Sequence, residues 1–160
     1  MTIQQYLDKI KTLSISGSIG KHSDYADLED TVIEILADNN KSYFNLFDLE
    51  FRNDKKECNE EIILNPEIIN QFTDCLGLLL INEKETEGNI CFINSTELRP
   101  EFRQSFTSID LLDYCNALLY SAFNKFSEIN AARIPITSDS SVFWKLVNYG
   151  SGLRNNNSLR

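Results

Sequence analysis

Apolar residues recur at three- and four-residue steps between Thr107 and Phe126: Leu111, Leu112, Cys115, Leu118, Leu119, Ala122, Phe123 and Phe126. That spacing predicts an amphipathic helix of about five turns with a single apolar stripe. Thr107 stands three residues ahead of Asp110, which supplies an N-cap and an acid in the first turn. No other stretch is as long or as periodic, so the central core helix is placed at about 108–126.

The same periodicity marks shorter elements on either side. Ile3, Tyr6, Leu7, Ile10 and Leu13 make one face of a helix over residues 2–13, and a Ser- and Gly-rich loop follows it. Leu28, Val32, Ile35 and Leu36 form the apolar face of a second helix. Ser23 is its expected cap, Asp24, Asp27, Glu29 and Asp30 lie in its N-terminal turns, and Asp38-Asn39-Asn40 closes it. From Tyr43 to Phe51 the period changes to two, with Phe47, Leu49 and Phe51 alternating with Asp48 and Glu50, the pattern of a strand. A polar turn over 53–59 leads to the apolar run Ile62-Ile63-Leu64. Asn65-Pro66-Glu67 then reads as cap, first helical residue and first-turn acid of a helix that Gly77 stops. Leu78–Ile81 and Ile90–Ile93 are expected to pair as a hairpin with Gly88 in its turn. Arg99-Pro100 marks a bend before the central helix, and Ile134-Pro135 ends the segment after it. Ser138 or Asp139 caps a last helix carrying Val142, Phe143, Leu146 and Val147, which Gly150 is expected to stop; from Asn155 a polar tail should fray.

These elements add up to one α+β domain over residues 1–160, with about five helices around the long central helix, itself packed on a small, mainly antiparallel sheet. Residues 1–42 form an N-terminal helical segment, 43–154 the α+β core and 155–160 the frayed tail. The length of 160 residues suits one core rather than two.

Charge narrows the list of partners. The formal net charge is −9, which repels nucleic-acid phosphate and suits a basic partner, or simply keeps the protein in solution. Cys58, Cys75, Cys91 and Cys115 are too widely spaced for a zinc site, and His22 is the only histidine. With no signal peptide and no apolar run near the length of a membrane span, the expectation is a reduced, cytoplasmic protein.

Catalytic motifs do not emerge. Gly17-Ser18-Ile19-Gly20-Lys21-His22 departs from a phosphate-binding loop, since Ile15 and His22 stand where Gly and Ser or Thr are required. Asn65-Pro66-Glu67-Ile68 is similar to the N-P-P-Y loop of adenine methyltransferases, but Glu67 replaces the second proline and a helix cap explains all four residues. Asp48, Asp54 and Lys56 faintly echo a metal-dependent nuclease within a turn where charges are ordinarily solvated. His22 has no nucleophile or acid nearby in sequence. The expectation is therefore no catalytic residue, no metal and no cofactor.

Several stretches together resemble a known family. They are S-Y-F-N-L-F from Ser42, L-N-P-E-I-I-N-Q-F-T-D-C-L-G-L from Leu64 and I-D-L-L-D-Y-C-N-A-L-L-Y-S from Ile109, followed by R-I-P-I-T-S-D from Arg133 and V-F-W-K-L-V-N-Y-G-S-G-L-R from Val142. In order and spacing they resemble the C-terminal specificity domain of single-chain type ISP restriction–modification enzymes of bacteria. Tyr6, Ile10, Leu13, Gly17, His22, Ser23 and Leu28 resemble the N-terminus of the same enzymes. In that family the domain recognises a DNA sequence on behalf of nuclease, translocase and methyltransferase modules. The resemblance thus implies a non-catalytic recognition module or remnant, binding double-stranded DNA or a larger restriction–modification subunit.

From Tyr43 onward acids outnumber bases 17 to 11, so a DNA-binding face would need its few bases to converge. The candidates are Arg133, placed in a loop after the central helix, with Lys125, Arg99, Arg103 and Lys145. The alternative is an acidic module that binds a basic protein, in the manner of toxin-immunity or anti-restriction inhibitors, with the Asp24–Asp30 acids as its contact.

Overall fold

A computed structural model describes residues 2–16, 26–37, 42–56, 59–80, 104–126 and 133–158. The architecture is α+β and mostly helical. Its elements are α1 (Ile3–Ser16), α2 (Ala26–Ala37), β1 (Ser42–Asn45), a 3-10 turn (Leu46–Asp48), β2 (Phe51–Lys56) and β3 (Asn59–Leu64). After these come α3 (Pro66–Leu76), β4 (Leu79–Leu80), β5 (Ser105–Phe106), α4 (Ser108–Phe126), β6 (Arg133–Ile136) and α5 (Ser140–Ser158). Among the described residues the strands form three pairs: β1 with β6 and β2 with β3 antiparallel, and β4 with β5 parallel.

The central helix is α4, and its start is fixed by a reciprocal cap. The Asp110 amide donates to the Thr107 hydroxyl, and the Thr107 amide donates to the Asp110 carboxylate (3.2 and 3.0 Å). Leu111, Leu112, Cys115, Leu118 and Leu119 are all buried, as the stripe predicts. So are Asp113, Tyr114, Asn116 and Ala117, so over these turns the helix is enclosed on every side. Its principal packing partner is α5, with α1 and α2 completing the cover.

Phe72 of α3 ties the strand pairs to this helical layer. Its ring meets those of Phe44, Phe106, Tyr114 and Phe143 at centroid separations of 5.4 to 6.4 Å, mostly edge to face. The buried Tyr114 hydroxyl donates to the Pro135 carbonyl and accepts from the Thr137 amide (2.6 and 3.2 Å), which docks β6 on α4.

Several expectations are corrected. The alternation from Tyr43 to Phe51 is not one strand. The Asn45 side chain accepts from the Phe47 amide (2.9 Å), turning the chain into a 3-10 turn that buries Leu46 and Leu49 and leaves Phe47 exposed. The polar stretch after it is not merely a turn, since Phe51–Lys56 and Asn59–Leu64 pair in register from Phe51↔Leu64 to Lys56↔Asn59. Gly150 does not stop the last helix, and Asn155–Asn157 do not begin a frayed tail, because α5 runs on to Ser158. Arg133 does not lie in a loop but opens β6. Asn65 occupies the N-cap position of α3 without capping it through its side chain. Its carboxamide instead donates to the Asp48 carbonyl (3.0 Å) and accepts from the Glu50 amide (3.1 Å). The second strand of the hairpin expected at 90–93, the Gly17–His22 loop and Ser23 lie outside the described residues; Leu79–Leu80 pairs with Ser105–Phe106.

Candidate functional site

The β1–β6 pair presents two faces. Phe44 and Ile134 lie directly opposite each other and point into the core, where both are buried along with Ile136. The alternation of a strand therefore sends Tyr43 and Asn45, Arg133 and Pro135 to the other face. Asn45 lies opposite Arg133 and Tyr43 opposite Pro135, so Tyr43 and Arg133 are diagonal neighbours on that face. The Arg133 guanidinium carbon sits 4.1 Å from the centroid of the Tyr43 ring. Arg133 is exposed and Tyr43 half-buried, so the ring forms a floor and the cation lies on it facing solvent. Among the described residues no carboxylate pairs with Arg133, and its N–H groups are left for a ligand or water.

The other candidate bases lie on other elements or outside the described residues. Lys125 is in the last turn of α4, on the far side of residues 127–132 in the chain. Arg99 and Arg103 lie outside the described residues. Lys145, on α5, lines a cleft of about 310 Å³ with Asp30, Thr31 and Glu34 of α2 and with Tyr149. The three charged residues line one cleft without a close ion pair among them. Lys145 is thus set against carboxylates that offset its charge, which is the opposite of a phosphate-attracting patch.

A second polar constellation escaped the sequence reading. Tyr6 of α1 donates its hydroxyl proton to the Asp113 carboxylate (2.5 Å). Arg154 of α5 closes a two-point pair on the same carboxylate, Nε to Oδ1 at 3.0 Å and an Nη to Oδ2 at 3.2 Å. The Asp113 side chain is 2% exposed and that of Arg154 27%. Burial holds the Asp113 carboxyl above its usual range, against the lowering by Arg154 and Tyr6. Burial and the adjacent Asp113 charge push the Tyr6 hydroxyl well up, so it remains a proton donor. With every member engaged and the carboxylate almost wholly buried, these groups tie three helices together. The signal in the sequence was an acid inside an apolar run, Leu112-Asp113-Tyr114, but its partners lie 107 and 41 residues away.

Cys75 and Cys115 are free thiols, and Cys115 is fully buried in α4, where burial pushes its thiol well up. Among the described residues no group of His, Cys, Asp and Glu is arranged to hold a metal ion, and no helix is long and apolar enough to cross a membrane. No family model matches the chain, and no curated protein or solved structure is significantly similar to it.

Proposed function

We propose that the chain is a non-catalytic recognition module that binds double-stranded DNA through the outer face of the β1–β6 pair. The observation that carries this reading is Arg133: an exposed guanidinium lying on Tyr43 with no carboxylate partner among the described residues. In a chain of net charge −9, a base left uncompensated is where an anionic ligand can approach. The likeness of the Arg133-Ile134-Pro135-Ile136 stretch to restriction–modification specificity domains supports the same partner. Few phosphates are neutralised on such a surface, so binding is weak and its salt dependence shallow.

Fluorescence anisotropy with a random-sequence duplex, titrated over a range of low salt concentrations, tests this. Each phosphate neutralised contributes about 0.9 to the slope of log K against log salt. Arg133→Ala should weaken binding and flatten that slope by about one. Absence of duplex binding at the lowest salt, or an Arg133→Ala protein that binds like the parent, overturns the reading.

A second reading rests on the cleft between α2 and α5. Asp30 and Glu34 stand one turn apart on its α2 wall, and Lys145 does not close on them. That arrangement suits the basic surface of a protein partner, as an inhibitor or immunity-type module would need. It requires a retained basic protein that is lost when Asp30 and Glu34 are both reversed to Lys.

A further inference from the structure

We infer that Tyr43 is a positioning residue for Arg133, holding the guanidinium so that its donor edge meets the paired oxygens of a single phosphodiester. The inference rests on the DNA reading above and names the contact within it.

An arginine side chain on a surface samples many rotamers, and ordering it on binding costs affinity. Here one face of the guanidinium is already covered, at 4.1 Å from the ring centroid. The diagonal relation of Tyr43 and Arg133 across β1 and β6 sets that stack, and the buried Phe44–Ile134 pair beneath fixes both backbones. With one face occupied, the N–H edge remains open to solvent. A planar fork of donors matches two oxygens of one phosphate, and a lysine cannot reproduce it. The Tyr43 ring carries no charge, so it alters how readily Arg133 engages and not how many phosphates are neutralised.

Two quantities separate these roles. Tyr43→Leu keeps an apolar floor but removes the π-face, and should weaken duplex binding about two- to five-fold, the range of an exposed cation–π contact. The slope of log K against log salt should stay at the parent value, because the charge is still present. Tyr43→Phe should bind like the parent, and Arg133→Lys should fall close to Arg133→Ala despite keeping the charge. Thermal melts establish that each variant is folded; should Tyr43→Leu fail to fold, the Tyr43→Phe and Arg133→Lys comparisons still decide. Equal binding by Tyr43→Leu and the parent, a slope that flattens with Tyr43→Leu, or full rescue by Arg133→Lys overturns the inference. Those results leave the DNA reading standing if Arg133→Ala still weakens binding, whereas an Arg133→Ala protein unchanged in affinity removes both.

Discussion

Gly150 lies against the backbone of Asp113, so that a Cβ added to it would fall on the Asp113 carbonyl. The two longest helices, α4 and α5, therefore cross at a point where only a hydrogen can stand between them. One turn further along α5, Arg154 reaches the carboxylate of the same Asp113. The close crossing and the ion pair are two parts of one junction, since a wider helix separation would draw Arg154 away from its partner.

Gly150→Ala should accordingly destabilise the protein by roughly 1–3 kcal/mol or more, because the obstacle is backbone and cannot swing aside. Gly152 is the internal control. It sits two residues on in the same helix, with nothing within 4 Å of a built Cβ. Gly152→Ala should stabilise by about 0.5–1 kcal/mol, the helical preference of alanine over glycine. Urea melts of both variants check the pair; equal effects would mean that the crossing is not this close.

Glycine also shows what could be read from sequence and what could not. Gly77 after α3 and Gly150 within α5 both look like stop signals in a string of letters. At Gly77 the backbone is left-handed (φ 71°) and its amide donates to the Thr73 carbonyl, so the local rule holds. At Gly150 the reason for glycine is a helix lying across it, which no local pattern contains. The same division runs through the rest of the chain. The Thr107–Asp110 cap, Pro66 at the start of α3 and the stripe on α4 are short-range chemistry and were legible. The Asn45 turn was concealed because Phe47 imitates the alternation of a strand. The engagement of Asp113 with Tyr6 and Arg154 depends on the packing of three helices, with partners 107 and 41 residues away, so no local pattern carries it. Of the candidate interface, Arg133 was legible as a base, but Tyr43 emerged only from the β1–β6 register.

Leu118 is fully buried in α4, and Leu118→Ala should cost on the order of 2–5 kcal/mol in denaturant melts. A loss of only a few tenths would place the core elsewhere.

The thiols should differ in kind. Cys115 is enclosed and its thiol is held protonated by burial, while Cys75 is only partly covered. In the folded protein a thiol reagent at neutral pH should label Cys75 readily and leave Cys115 untouched until denaturant is added. Equal labelling rates at the two positions would contradict the packing around α4.

Asp113 gives the sharpest dependence on pH. Its carboxyl titrates above the ordinary range because burial disfavours the charge more than Arg154 and Tyr6 together favour it. In the unfolded chain it titrates near the ordinary aspartate value of 3.8, so over the window between that value and the raised one the fold binds a proton that the unfolded chain does not. Its contribution to stability is therefore fully present below 3.8 and is lost as pH rises through the folded value. The Arg154 pKa is raised as well, first by the hydrogen bond to Asp113, and its contribution disappears only in strong alkali. Asp113→Asn removes the titration while keeping the shape of the side chain. The stability of the parent minus that of Asp113→Asn should thus increase as pH is lowered from 7 towards 4 and level off below that. Asp113→Ala, which leaves the Tyr6 hydroxyl and Arg154 facing a void, should cost on the order of 1–3 kcal/mol at neutral pH, more than Asp113→Asn does. Urea melts of the three proteins across this range provide the measurement. A difference that shrinks on acidification would show the opposite balance, with the Arg154 pair outweighing the burial of the carboxylate.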